Sequence, residues 1–225
     1  VEPGERFSAA DFKIYAVQKI DEIRTRGNIP FLVGGTGLYI DGVIFDYQFG
    51  NTVDPAQRQE LEKLSIDELH HYSLKHNIEL PENKQNKRYV IRKIEQNNVE
   101  IKRRKTPISR SIIVGIATDR EELRKRIEAR SEQLFEDGVV EEATILGKKY
   151  GWRSEAMTGN IYPLVHLYLK KEISLHEMKE KFTTLDWQLA KRQLTWLKRN
   201  QYIKWLSLTE ARDYLVHRLA NEHKS

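Results

Sequence analysis

Ile29-Pro-Phe-Leu-Val33 is a short apolar block that runs straight into Gly34-Gly-Thr-Gly37, after which Leu38-Tyr-Ile40 resume an apolar pattern. A run this short, apolar throughout and followed by glycines, has the pattern of a strand buried on both faces of a parallel sheet. The glycines permit a tight turn, and the residues beyond it open a helix. Ahead of the block, Ser8 and Asp11 have the spacing of a helix N-cap and its acidic partner. Phe12, Tyr15, Ala16, Ile20 and Ile23 then recur at helical intervals, and Gly27 stops the run. Helix, strand, glycine turn and helix in that order predict an α/β layered core.

From Gly50 to about Ser109 the character changes. Asp54-Pro55 opens a polar helix over 57–64, Ser65 or Asp67 caps another that runs to Lys75, and Pro81-Glu-Asn83 is a turn. A third helix carries Tyr89, Val90 and Ile94 on one face and basic residues on another. This stretch, 49–109, reads as a helical insertion between two parts of the core, 1–48 and 110–225. Strand chemistry returns at Ser111-Ile-Ile-Val-Gly-Ile-Ala117. Thr118 or Asp119 then caps a helix through Leu123, Ile127 and Leu134 that closes near Gly138. Helices are predicted over 139–150, 163–171, 174–182 and 185–199, and a strand-like segment at Tyr202-Ile-Lys-Trp-Leu206.

Charge and composition narrow the chemistry. The 225 residues include no cysteine, which excludes disulfides, thiolate metal sites and a cysteine nucleophile. No apolar run approaches the ~18 residues of a membrane span. None of the seven His stands four residues from another, so no histidine metal site is expected. The net charge of +5 is unevenly spread. Ten Lys or Arg lie between Lys84 and Arg110, among them Arg88 and Arg92, against only Glu95 and Glu100. Such a stretch attracts a polyanion, most simply nucleic acid; a solvated helix surface is the plain alternative.

Three constellations suit chemistry on anions and RNA. Free N–H groups in Gly34-Gly-Thr-Gly37 favour anionic oxygen, and Thr36 adds a hydroxyl, although a bare glycine motif is more often a structural turn. It is not a Walker A loop, because no Gly-Lys-Ser/Thr follows. Arg126 and Arg130 stand four apart on one helix and either grip a phosphate together or pair with Glu122, Glu128 or Glu132. Lys191, Arg192, Gln193 and Trp196 interleave basic, amide and aromatic groups that suit an RNA backbone and a stacked base, although a Trp there is more often packed.

Taken together, four stretches resemble the tRNA dimethylallyltransferases, also called tRNA isopentenyltransferases. They are Phe7–Phe12 with Arg26-Gly27 and Ile29–Ile40; Val90-Ile-Arg-Lys-Ile-Glu95; Asp119–Leu123 with Arg126–Arg130 and Gly138–Glu142; and Ala190-Lys-Arg-Gln-Leu-Thr-Trp196, ending at Trp205-Leu206. The resemblance implies a partial P-loop kinase-like core with a helical insertion domain and C-terminal helices. It implies transfer of a dimethylallyl group from its diphosphate to N6 of the adenosine beside the anticodon of tRNA. Arg130, with Thr36, would act at the reacting diphosphate. Gly34, Gly35, Gly37 and Arg126 would shape the substrate channel. Arg88, Arg92, Lys191, Arg192, Gln193 and Trp196 would contact the anticodon stem-loop.

The resemblance further implies Mg²⁺ with the diphosphate, and a cytoplasmic monomer. The family's P-loop and the Asp that accepts the N6 proton lie upstream of the position matching Val1. The chain on its own is therefore expected to be a fragment without activity. It departs from the family pattern at Asn28, at Asn160-Ile-Tyr-Pro-Leu164, and at Asp186-Trp187, where Thr-Arg is usual. Two other readings stand beside this one: an adenylate isopentenyltransferase acting on free nucleotide, and an RNA-binding remnant without catalysis.

Overall fold

The computed structural model describes residues 1–5, 7–49, 54–97 and 102–222; Gly50 and Glu100 lie outside them. The chain divides into two compact units, Val1–Ile40 with Ser109–Ser225, and Asp41–Ile108. Much of the helical structure is set locally. Helices α1 (Ala9–Thr25), α4 (Ile66–Lys75) and α9 (Leu175–Leu197) each begin with a reciprocal capping box: Ser8 with Asp11, Ser65 with Glu68, Ser174 with Glu177. In each, two N–H groups that the first turn would leave unpaired are satisfied by side chains. Ser8 holds the Asp11 carboxyl below its usual range by the same hydrogen bonds.

In the larger unit, α1 is tied to the start of α2 (Gly37–Ile44) by the Tyr39 hydroxyl, which donates to the Phe7 carbonyl at 3.2 Å. The Phe12 and Tyr39 rings stack with centroids 4.7 Å apart. Strand β1 (Val114–Ile116) pairs in parallel with β2 (Lys204–Leu206), Gly115 standing opposite Trp205. Helix α10 (Leu208–Glu222), which the sequence pattern did not announce, packs on both strands. The core lies among α6 (Arg120–Glu136), α7 (Val139–Tyr150), α8 (Tyr162–Leu169) and α9. There Val139, Ala143, Ile161, Leu164, Val165, Met178 and Phe182 are buried together. Each large side chain buried in this way contributes about 1.5–3 kcal/mol.

The smaller unit has its own core. Helix α3 (Pro55–Lys63) starts at Asp54, whose carboxylate accepts from the Ala56 N–H at 2.9 Å, with Pro55 in the first turn. With α4 and α5 (Lys87–Gln96) it buries Leu61, Leu69, Ile78, Val90, Ile91 and Ile94. Asn97, in the left-handed region at φ 46°, closes α5.

Three expectations need correction. Residues 29–33 form no strand: Phe31 is 64% and Val33 89% exposed. A parallel strand exists only through its hydrogen-bonded neighbours, and among the described residues β1 and β2 pair only with each other. The helices expected over 174–182 and 185–199 are one continuous helix, α9. The strand expected at 111–117 is confined to Val114–Ile116.

Candidate active site

The glycine turn is shaped by what lies against it. The Thr36 carbonyl accepts from the N–H groups of Tyr39 at 3.0 Å and Ile40 at 3.2 Å, so α2 starts at Gly37. None of Gly34, Gly35 and Gly37 has a positive φ. Their backbone angles therefore do not demand glycine, but space does at two of them. A methyl group at Gly35 would stand 2.8 Å from the Gln193 amide, and one at Gly37 would overlap the Trp196 indole. A methyl group at Gly34 would meet nothing within 4 Å beyond its chain neighbours. The turn is thus seated on the C-terminal part of α9, while Gly34 and Thr36 remain exposed. Trp196, half-buried, packs against Gly37 and lies under the Arg199 guanidinium, 5.6 Å from the ring centre.

The same helix reaches the arginines of α6. Asp186 and Gln193 are seven residues apart on α9, which places them on nearly one face, about 10 Å apart along the axis. The Asp186 carboxylate is buried. Its Oδ2 accepts from Arg130 Nη1 at 3.3 Å and its Oδ1 from the Asn160 amide at 3.1 Å. The Arg130 side chain is nevertheless 70% exposed, so most of its donor fork faces solvent. Arg126 is drawn away along α6 by Glu122, at 2.9 Å, which is the surface pairing the spacing allowed. Beside this cluster a cavity of about 190 Å³ is lined by Arg120, Arg124, Ile127, Thr183, Thr184 and Trp187, with Arg120 5.6 Å above the indole.

Of the expected RNA contacts, Lys191 and Arg192 are exposed on α9. In the smaller unit Arg88 is exposed, whereas Arg92 is half-buried and leans on Glu95 at 3.5 Å. Glu95 also takes Arg58, at 2.9 Å. Sequence spacing brought out Arg130 and the glycine turn but not Asp186, the partner of Arg130, or Asn160, the partner of Asp186. The signal for both was their departure from the family pattern at 160–164 and 186–187. Among the described residues no three His, Asp or Glu converge as a metal site. None of their helices is long and apolar enough to cross a membrane.

The comparisons agree with one another. The family model described as IPP transferase matches residues 1–200. The chain is 33% identical over 233 residues to the tRNA dimethylallyltransferase of Anoxybacillus flavithermus, covering 98% of this chain and 74% of that protein. It is 35% identical over 227 residues to the enzyme of the same name from Acetivibrio thermocellus, covering 93% and 72%. The crystal structure of the full-length tRNA isopentenylpyrophosphate transferase of Bacillus halodurans superposes with a TM-score of 0.70 at 28% identity, over 100% of this chain and 78% of that one. With its glycine turn seated on α9 and its matched stretch running through that helix, the chain belongs to the IPP transferase family.

Proposed function

We propose that this chain serves the transfer of a dimethylallyl group from dimethylallyl diphosphate to N6 of the adenosine next to the anticodon in tRNA. In that reaction N6 attacks C1 of the dimethylallyl group, the C1–O bond breaks, diphosphate leaves, and N6 gives up a proton. The leaving group departs readily once its charge is neutralised, and a mostly exposed guanidinium fixed at one N–H is suited to that task. Arg130 is that group, with Thr36 and Gly34 exposed on the glycine turn seated farther along α9. Arg126, paired among the described residues with the exposed Glu122, can exchange that weak surface contact for the same anion. Arg88, Lys191, Arg192 and Gln193 contact the RNA, with Arg92 engaged by Glu95 and Trp196 supporting the turn. The target adenosine leaves the base stack to be reached.

The observation that carries this reading is the shared face of α9, which seats the glycine turn at Gln193 and holds Arg130 through Asp186. The β1–β2 pair and its flanking helices are the part of a P-loop kinase-like core that this reading assigns to the chain, working as a cytoplasmic monomer. Mg²⁺ would bind chiefly through the oxygens of the diphosphate and share the neutralisation of its charge with Arg130.

Binding to an anticodon stem-loop carrying the target adenosine, against an unrelated hairpin of equal length and across salt, tests the proposal. A preference for the anticodon stem-loop that survives higher salt is expected. Equal binding that falls steeply with salt for both hairpins would mean a basic patch without recognition, and would overturn it.

A further inference from the structure

Asp186 is a buried acid whose only charged partner among the described residues is Arg130, while its second oxygen is met by the neutral amide of Asn160. An anion arriving at Arg130 therefore meets a guanidinium already paired with a fixed negative charge. Two effects oppose each other. Holding the guanidinium in one place favours a ligand by about twofold to tenfold, the usual worth of one immobilised side chain. A like charge roughly 6 Å from the anion, at an effective dielectric near 20, disfavours it by about a hundredfold for each unit of charge. Arg130 is 70% exposed, and screening by water and salt reduces that figure to about tenfold. Diphosphate carries several negative charges, so repulsion outweighs positioning.

We propose that Asp186 is an internal competitor for Arg130, setting how tightly the chain holds diphosphate and so how readily that product is released. The inference rests on Arg130 as a diphosphate ligand. Asp186 acts through Arg130 and touches no reacting atom. Asn160 keeps the carboxylate in reach of the guanidinium when the anion leaves, so the ion pair re-forms as the site empties.

Calorimetric titration of the whole chain with inorganic diphosphate tests this. Asp186→Asn keeps the shape and an acceptor oxygen but removes the charge, and diphosphate should bind about tenfold more tightly. Asp186→Ser, which removes the charge with a smaller side chain, should move affinity the same way if the first variant folds poorly. Asp186→Glu keeps the charge and should stay within about threefold of the parent. In the double variant with Arg130→Ala, the gain from Asp186→Asn should vanish. A purely structural role for Asp186 would lower thermal stability but would not raise affinity. Affinity unchanged or weakened in both charge-removing variants overturns the inference. If Arg130→Ala weakens diphosphate binding while they leave it unchanged, only the competitor role fails. If Arg130→Ala has no effect, the assignment of Arg130 as ligand falls, and this inference with it.

Discussion

Each unit uses a nearly buried carboxylate to hold arginine, with opposite results. In the smaller unit Glu95, 1% exposed, takes both Arg58 and Arg92, which are themselves only 28% and 38% exposed. In the larger unit Asp186, 9% exposed, takes one arginine that is 70% exposed and fills its other oxygen with an amide. An acid satisfied by two arginines draws both inward and joins α3 to α5. An acid satisfied by one arginine and a neutral donor steadies that arginine yet leaves its other N–H groups facing water. The first arrangement serves cohesion, the second recognition. The same residue type is therefore a structural group at 58 and an available one at 130.

The largest expected effect is at Glu95. Glu95→Ala should lower the unfolding free energy by about 3 kcal/mol, because it breaks a buried, twice-paired charge. A urea midpoint within error of the parent would mean the two arginines hydrate freely and would dissolve the contrast. Gly37→Ala should cost about 2 kcal/mol by forcing the glycine turn off the Trp196 ring, whereas Gly34→Ala, in open space, should change stability by less than ~0.5 kcal/mol. Equal losses at the two glycines would refute the seating of the turn on α9. Asp186→Ala should cost only about 1 kcal/mol, since Arg130 is already largely hydrated. A loss as large as that at Glu95 would make both carboxylates structural.

A smaller separation is expected in RNA binding. Arg88→Ala should reduce affinity about threefold and the slope of log affinity against log salt by about one. Arg92→Ala, tied to Glu95, should leave that slope nearly unchanged and show its effect in stability instead. The reverse order would place Arg92 at the RNA. The smallest effect belongs to a third acid, Glu142, whose partner is neutral. It accepts from the Tyr162 hydroxyl at 2.6 Å, and that hydrogen bond, aided by burial, pushes the Tyr162 pKa up from 10.0 to about 12. The folded state then keeps the proton longer than the unfolded chain. Stability from this pair is complete below pH 10.0 and is lost as pH rises toward about 12. Ultraviolet titration of Glu142→Ala, which removes the acceptor, should return Tyr162 toward its ordinary value; a curve identical to the parent's would exclude the hydrogen bond as the cause.

Features that depend on a few neighbouring residues were legible in the sequence. The capping spacing at Ser8, the caps at Ser65 and Asp119 and the stop at Gly138 all appear in the structure, because both halves of each interaction lie within one turn of chain. The pairing of Arg126 with Glu122 was open to reading for the same reason. The division expected between the helices over 174–182 and 185–199 misled, because no break occurs there. Instead, Thr183 Oγ1 donates to the Lys179 carbonyl at 3.0 Å and Thr184 Oγ1 to that of Glu180 at 2.9 Å, so both stay inside α9. The Ile29–Val33 block misled differently, since composition records a preference for burial but not whether neighbours are present. The link from Arg130 to Asp186 spans 56 residues and that from Asn160 to Asp186 spans 26, distances over which spacing carries no information.

The unbroken course of α9 makes it a ruler. One rigid rod of 23 residues, about 34 Å long, fixes both the interval and the angle between Asp186 and Gln193. Inserting one residue between them would swing Gln193 by about 100° and unseat the glycine turn, even if every side chain kept its identity. Inserting seven would restore the angle while lengthening the interval by about 10 Å. The site thus has a phase as well as a composition, and the interval between Asp186 and Gln193 tolerates no change in chain length.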